Sequence, residues 1–395
     1  MGDSGPTTDF DRLSTVPAAS VVGVTVSLPG EYMEPTEYIP AESSPTHMHQ
    51  VSGISLPAEF IFMDVGAWRR EQYSFGVIHG RHAYLCRYTP NEQGLAPTTH
   101  MGLDDQFFSA FGNRVQVDRR ASAQAPDQDF DWNKIYVVIP DIHLMTGRAA
   151  AIWLDVADLE PETSFSKFAR DLSELPTHLR ENIHLVQTGD MYDLWVGYPC
   201  LFEQTASPQI ALVNQPDVVS EIGRWIEDIR SDNPGAAAFE LLEKSCGQVT
   251  YIYGNHDCYL VLPHCTHDWR LPQREPYLEG RGVFLEHGHR FEVLFPAGFP
   301  GNRDGDVSGW RATAAAFGQL ESNSPGVEAQ AYKAGLDVWW AETNQRPMVL
   351  SELAKLWAAR RAGSSVSRPI HIFVTAHTHA AALQRIQITR SRTRS

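Results

Sequence analysis

The chain has little cysteine, no long apolar run and no excess of positive charge. Its five cysteines among 395 residues have scattered spacings, so no disulfide framework is predicted and a reducing compartment is expected. No segment approaches the roughly 18 consecutive apolar residues of a membrane span. The formal net charge of −16 argues against a non-specific nucleic-acid binder, whose surface would be basic. These absences exclude a disulfide-rich secreted domain, a helical membrane protein and a basic nucleic-acid coat.

An export signal is also missing from the first residues. Residues 1–6 are acidic and polar, and they lack the basic start and apolar core of a secretory leader. We therefore expect a cytoplasmic protein.

The first 130 residues are predicted to hold two different regions. Residues 1–50 contain six prolines among Ser, Thr and Glu, which predicts an irregular arm with one strand at 21–26. Residues 51–130 predict a small β-rich region, with strands at 60–63, 73–78 and 83–88 and a hairpin turn at 79–82. Its role is open: a lid, an edge-strand supplement to the main sheet and a docking module are alternatives. Residues 131–395 are predicted to form the main domain.

Five short hydrophobic runs in the main domain are each followed by possible metal ligands. Such runs, bounded by turn residues, predict buried strands. The runs lie at 135–139, 183–187, 249–253, 283–285 and 370–374. Helical spacing between and after them predicts helices at 165–179, 218–229, 239–242, 313–320, 329–340 and 348–361. Ligands of α/β sheets lie just beyond the carboxyl ends of the strands, so we expect the donors to meet at one edge.

The predicted donors are Asp, Asn and His side chains, with no Cys among them. They are Asp141, His143, Asp190, Asp193, Asn255, His256, Asp257, His287, His377 and His379. This mixture suits Mn, Fe or Zn rather than a structural thiolate site. Each short motif alone could be an ordinary turn, but their order, strand context and number together predict a metal site. A separate zinc site at Cys258, His264, Cys265 and His267 is less favoured, because the spacing fits no standard finger.

The series of motifs resembles the calcineurin-like metallophosphoesterases. The resemblance covers about residues 131–385, in the family's order, and rests on Asp141-Ile142-His143, Gly189-Asp190-Met191-Tyr192-Asp193, Gly254-Asn255-His256-Asp257, His287 and Ala376-His377-Thr378-His379. Ala376 stands where the family usually has Gly, which matters only if the position needs a positive φ or a very close backbone approach. The resemblance implies a two-sheet α/β/β/α sandwich of the metallophosphoesterase type, here with an N-terminal extension.

The resemblance also implies roles for these residues. It implies two divalent metal ions, Mn first and Fe or Zn as alternatives, with Asp190 bridging them. The first ion would be completed by Asp141, His143 and His379, and the second by Asn255, His287 and His377. A metal-bridging hydroxide would then hydrolyse a phosphodiester, phosphomonoester or diphosphate.

Three further residues are expected to serve catalysis without binding metal. His256 would stabilise the transition state and protonate the leaving oxygen, with Asp257 or another carboxylate orienting its ring. Asp193 would hydrogen-bond the loop or a ligating His. For both Asp193 and Asp257, simple loop capping is the alternative.

The motifs separate the branches of the family only partly. Protein Ser/Thr phosphatases have Gly-Asp-x-x-Asp-Arg, whereas Leu194 follows Asp193 here, so that branch is not favoured. Residues 189–197 resemble the UDP-diacylglucosamine pyrophosphatase-like branch, although His256 stands where that enzyme has Arg. We expect a small phosphorylated substrate, with nucleotide-type compounds among the candidates, and the sequence indicates no particular protein partner for the N-terminal region. The alternative function is a non-catalytic scaffold or protein-binding module with this fold.

Overall fold

A computed structural model describes residues 23–28, 59–69, 72–90, 102–147, 160–193, 216–254, 256–257, 274–275, 277–288, 370–379 and 381–390. Within these residues the chain is a mixed α/β structure with two β-sheets. The two-sheet α/β class predicted from the sequence is thereby confirmed. Predicted features outside these ranges, including Asn255, the cysteine-histidine cluster and the helices placed within 313–361, lie outside the described residues.

The strands are numbered in chain order. They are β1 Gly23–Leu28, β2 Glu59–Asp64, β3 Trp68–Arg69, β4 Gln72–His79, β5 His82–Tyr88, β6 Val115–Ser122, β7 Ile135–Ile139, β8 Ile183–Thr188, β9 Gln248–Ile252, β10 Arg274–Glu275, β11 Tyr277–Glu279, β12 Gly282–Glu286, β13 Ile370–Thr375 and β14 Ala382–Arg390. The described helices are α1 Leu103–Phe111, α2 Glu160–Ser173, α3 Thr177–Arg180, α4 Pro216–Asp232 and α5 Pro234–Ser245. All five motif-bearing runs form strands, as predicted.

The first sheet has the strand order β1-β14-β2-β13-β12-β11. β2, β13 and β12 are parallel to one another, whereas β14 runs antiparallel to β2. The second sheet has the order β10-β9-β8-β7-β4-β5-β6, with β3 paired to β4. β7, β8 and β9 are parallel, and β4 joins them antiparallel. Each sheet therefore contributes a parallel set whose carboxyl ends can carry ligands.

Two hydrophobic cores explain the layering. Between the sheets, Met63 and Val374 of the first sheet pack in one buried cluster with Val138 and Val186 of the second. On its outer face the second sheet packs its other side chains against helices, because the period of two in a strand sends alternate residues to opposite faces. That outer core joins Val137 to side chains of α1, α2, α4 and α5. Of the parallel strands in this sheet, β7 is apolar throughout, as expected for a strand covered on both faces, whereas β8 and β9 also carry polar side chains such as His184 and Thr250.

Strands of the N-terminal region are part of both sheets. β2 lies between β13 and β14 in the first sheet, and β4 pairs with β7 in the second. The predicted hairpin is present, with His79 paired to His82 across a turn in which Gly80 has φ 53°. Of the three roles left open, these pairings come nearest to the edge-strand supplement, but β2 is an interior strand of the first sheet and not an edge strand. The domain boundaries at residues 50 and 130 stay predictions.

Two sequence predictions need correction, and two elements were missed. The helix predicted at 165–179 ends at Ser173, and Pro176 separates it from the short α3, because proline cannot continue a helix from its interior. The first strand lies at Gly23–Leu28 rather than 21–26. α1 and β6 were not predicted. Among the described residues, none of the helices has the length and apolarity needed to cross a membrane.

Candidate metal centre

Ligand-type side chains follow the carboxyl ends of strands in both sheets. Asp141 and Asp190 come just after β7 and β8, whereas His287 and His377 come just after β12 and β13. Parallel strands within a sheet end at the same edge, so both sheets present these side chains on one side. All four side chains are buried. The structure thus brings together the motifs that the sequence placed at one edge.

The first group of possible ligands contains Asp141, His143 and His379. Their donor atoms all lie within 4.8 Å of one another. Asp141 Oδ2 is 3.0 Å from His379 Nε2, and His143 Nε2 is 3.3 Å from the same nitrogen. Asp141 Oδ2 is buried and makes no hydrogen bond among the described residues. Buried donors that face one another in this way fit a divalent cation.

The second group contains Asp190, His287 and His377, again with donor atoms within 4.8 Å of one another. His287 Nε2 lies 3.2 Å from Asp190 Oδ2 and 3.1 Å from His377 Nδ1. Asp190 Oδ2 also lies 3.9 Å from His143 Nε2 of the first group. The Asp190 carboxylate therefore stands between the two groups. These groups divide the described ligands as the family resemblance implied.

Four of these residues have an unusual backbone conformation. His143, Asp190, His377 and His379 have φ of 53°, 49°, 69° and 57°. They are the residues other than glycine with positive φ in the described part of the chain. Left-handed backbone costs a residue with a Cβ roughly 1–2 kcal/mol, so it persists only where the surroundings enforce it. Such outliers cluster at functional sites, and here all four carry a candidate ligand.

Two glycines allow the second and third motifs to approach each other. At Gly189, which has φ 104°, a Cβ would come within 2.6 Å of His287 Nδ1. At Gly254 a Cβ would come within 2.0 Å of Asp190 Oδ1.

Ala376 is fully buried, and its φ is not positive. The alanine in place of the family's glycine therefore causes no backbone strain.

His256 lies beside the two groups and is held by Asp193. Its Nδ1–H donates to Asp193 Oδ1 at 2.9 Å, and the other oxygen of Asp193 is 3.5 Å from His143 Nδ1. One carboxylate thus contacts both His256 and a candidate ligand. One ring nitrogen of His256 also lies within 4.8 Å of donor atoms of His143 and Asp190, a third grouping that the sequence did not indicate.

Asp257 has the loop-capping contacts that were the alternative for it. Its two oxygens accept the backbone N–H groups of Gly254 at 2.7 Å and Met191 at 2.9 Å. It thereby ties the loop after β9 to the loop after β8. The expectation that a carboxylate orients His256 is therefore met by Asp193, the other carboxylate of the pair.

Charge is concentrated in the buried centre. Burial opposes ionisation of Asp141, but the His287 and His379 imidazoles hold its pKa well below the usual range. Burial likewise opposes ionisation of Asp190, whose pKa is lowered by His287, His256 and His143. The reciprocal effect, acting against burial, raises the pKa of His287 through Asp190 and Asp141. Ionised carboxylates inside the protein attract cations, and metal binding would compete with protons for the imidazoles.

Residues behind the ligands were not predicted from the sequence. The Thr188 carbonyl accepts from His287 Nδ1 at 2.8 Å, which leaves Nε2 facing Asp190. Buried Gln187 donates to the Gly189 carbonyl at 2.6 Å and accepts its N–H at 3.2 Å. Asp64 accepts from Thr378 Oγ1 at 2.7 Å. Asp64 carries the signal of the motif residues, an Asp at the end of an apolar run, but it lies outside the resemblance.

Comparisons of the chain with protein-family models, with curated proteins and with solved structures found no match.

Proposed function

We propose that the chain is a metal-dependent phosphoesterase with the two-sheet α/β/β/α sandwich of the calcineurin-like metallophosphoesterases. One observation carries the proposal: ligands from strands of both sheets converge in two groups, with Asp190 between them. A carboxylate placed between two sets of donors is what a dinuclear centre requires. The family resemblance of the motifs supplies the reaction class.

The donor set fits two divalent ions of the Mn, Fe or Zn type. Asp141, His143 and His379 would hold one, while Asp190, His287 and His377 would hold the other, with Asn255 as the further ligand implied by the resemblance. Two such ions supply charge neutralisation of a phosphate and a water that is acidic near neutral pH. Oxygen and imidazole donors suit Mn²⁺, which is our first choice.

The residues of the chain would divide the remaining work. Thr188 holds His287 and Asp193 faces His143 through the contacts described above, which keeps these two ligands in place before substrate arrives. Asp193 holds the Nδ1–H of His256, so the Nε2 atom of His256 is the one available to protonate the leaving oxygen. The substrate is a small phosphodiester, phosphomonoester or diphosphate, with nucleotide-type compounds first among the candidates.

The test is a hydrolysis screen of purified protein loaded with Mn²⁺, Fe²⁺ or Zn²⁺. The compounds are p-nitrophenyl monoesters, p-nitrophenyl diesters and nucleotide diphosphates. We expect turnover of at least one class with one of the metals, and its loss on chelation. Asp129→Asn serves as a control variant, because Asp129 pairs with His371 away from the centre and should leave the rate unchanged. Activity that survives extensive chelation would contradict the mechanism.

The scaffold alternative makes a different prediction for the same screen. It expects the protein to bind Mn²⁺ and to hydrolyse none of the compounds. The usual sign of a scaffold is loss of the catalytic histidine or of ligands. His256 is present here and is oriented by a buried carboxylate, which favours the enzyme.

A further inference from the structure

The segment at residues 64–68, in the N-terminal region, crosses from one sheet to the other beside the candidate centre. It leaves β2 of the first sheet at Asp64 and reaches Trp68, which pairs with Tyr73 of β4 in the second sheet. No motif of the family resemblance includes it. Its path places it next to the loops that carry ligands in both sheets.

In the first sheet the segment holds the loop that carries His377 and His379. Asp64 Oδ2 accepts from Thr378 Oγ1 at 2.7 Å, and Thr378 lies between the two histidines. Val65 N donates to the carbonyl of Thr375, the last residue of β13, at 2.9 Å. Asp64 is 3% exposed, so water competes little for these bonds. The side chain thus braces a turn in which both candidate ligands have left-handed φ.

In the second sheet the segment holds the loop that carries Asp141. Trp68 N donates to the Asp141 carbonyl at 2.8 Å, and Ala67 forms an isolated parallel bridge with Asp141. The same few residues therefore contact the Asp141 backbone at one end and the His377–His379 turn at the other. His379 Nε2 and Asp141 Oδ2, which are 3.0 Å apart, belong to these two loops.

The segment is itself held in place. Asp64 Oδ1 accepts the N–H of Gly66 at 2.9 Å, which closes a tight turn. Ser74 Oγ on β4 bonds to the Val65 carbonyl at 2.7 Å and the Ala67 carbonyl at 3.3 Å. Gly66 has φ 75°, and a Cβ there would come within 2.8 Å of Ser74 Oγ. Because the segment is fixed in this way, it can determine the distance between the Asp141 loop and the His377–His379 turn.

We propose that Asp64 is a positioning residue of the metal centre, and that residues 64–68 set the spacing between the Asp141 loop and the His377–His379 turn. The inference rests on the proposed metal centre but does not require the hydrolytic reaction. It also assigns a task to the N-terminal region, which completes the site. Deleting that region would remove β2, an interior strand of the first sheet, so point variants are the sharper tool.

The experiment measures Mn²⁺ binding to metal-stripped protein by calorimetry at 15 °C, with folding checked by circular dichroism. The variants are Asp64→Ala and Thr378→Val, the second nearly isosteric and lacking only the hydroxyl. Partners behind metal ligands change affinity by roughly 10–100-fold, so we expect a weakening of that size in both. In the double variant the weakening should not exceed that of the larger single change, because both changes remove the same hydrogen bond between Asp64 and Thr378, and Asp64→Ala also loses the bond from Gly66.

Asp104→Ala is the matched control. Asp104 is also a buried carboxylate of the N-terminal region with two partners, His79 at 3.2 Å and Tyr84, and neither partner is a candidate ligand. We expect this variant to lower the melting temperature while its Mn²⁺ affinity stays within twofold of the original protein. A purely structural role for Asp64 predicts the same behaviour for Asp64→Ala.

Asp64→Asn and Thr378→Ser, which keep one acceptor and the hydroxyl respectively, should recover part of the affinity. If Asp64→Ala fails to fold, Thr378→Val decides alone. Affinities within twofold of the original protein in the folded variants, or additive losses in the double variant, would overturn the inference. If the original protein binds no Mn²⁺, Fe²⁺ or Zn²⁺, the proposed function fails first and the inference fails with it.

Discussion

Histidines occur at both edges of the sheets, but the two edges use them differently. At the edge formed by the amino ends of the parallel strands, each histidine has a partner of its own: His184 bonds to Thr250 at 2.8 Å, His371 to Asp129 at 3.0 Å and His82 to Ser122 at 2.7 Å. At the carboxyl edge, the histidines share partners around Asp141, Asp190 and Asp193. Convergence, rather than the number of histidines, distinguishes a ligand site from a set of structural hydrogen bonds.

The backbone makes the same distinction. At the amino edge, positive φ belongs to glycines, such as Gly80 at 53° in the hairpin and Gly282 at 69° at the start of β12. At the carboxyl edge His143, Asp190 and the two histidines of the last motif adopt it despite having a Cβ. Backbone strain from a positive φ is thus avoided at the amino edge and present at the carboxyl edge. Retained strain indicates that ligand geometry was kept at a cost in stability.

The largest expected effect is at Asp190. Asp190→Asn should lose metal and reduce turnover by more than the roughly 100-fold upper range of partners behind ligands, because the carboxylate stands between both groups. The matching change at the amino edge, Asp129→Asn, should leave turnover unchanged. Metal content by elemental analysis and initial rates on the best substrate check both. Equal effects of the two substitutions would remove the distinction between the edges.

The next effect concerns His256. His256→Ala should keep the bound metal while turnover falls by roughly 10²–10⁴-fold, the usual contribution of a positioned acid. The loss should be smaller for p-nitrophenyl esters, because p-nitrophenolate needs little protonation on leaving. His371→Ala, at the amino edge, is the control. It should leave turnover unchanged both for p-nitrophenyl esters and for substrates with poorer leaving groups. Loss of metal in His256→Ala would instead indicate that His256 is a ligand in the third grouping with His143 and Asp190.

The smallest effect concerns stability at the amino edge. Burial, with a smaller contribution from Lys134, lowers the pKa of His184 to about 4 from 6.5. The unfolded chain therefore takes up a proton between these values that the folded chain does not, and stability is lost as the pH falls from 6.5 to 4. At about 1.4 kcal/mol per pKa unit, the loss reaches up to about 3 kcal/mol.

His184→Gln removes this titrating group. Urea unfolding of metal-stripped protein between pH 7.5 and 4 should show a shallower loss of unfolding free energy in the variant than in the original protein. The difference between the two proteins isolates His184 from the carboxylates that also titrate in this range. Identical pH profiles would mean that His184 is not held neutral in the folded state.

The strands and their ligands were predictable because both signals are local. An apolar run followed by Asp or His, as in Ile135–Ile139 and Asp141, can be recognised from neighbouring residues alone. The grouping of His143 with His379, 236 positions apart, came only from the family resemblance, because no local pattern encodes it.

The contribution of the N-terminal region could not be foreseen. Asp64 has the same local signal as Asp141, but its partner Thr378 is 314 positions away, so its place in the site appears only in the folded chain. The presence of Pro176 could have predicted the end of the helix before it. By contrast, α1 has Gly102 and Gly112 at its ends and no side-chain cap, so the sequence gives little indication of where this helix begins.

The most direct test of a dinuclear centre is an anomalous-difference map from crystals of the Mn²⁺-loaded protein, recorded at the manganese absorption edge. The account predicts two peaks per chain, one among Asp141, His143 and His379 and one among His287 and His377, with Asp190 in contact with both. Peaks elsewhere, such as beside His82 or His184 at the amino edge, would contradict it. So would a fully loaded crystal that shows no peak at the carboxyl edge.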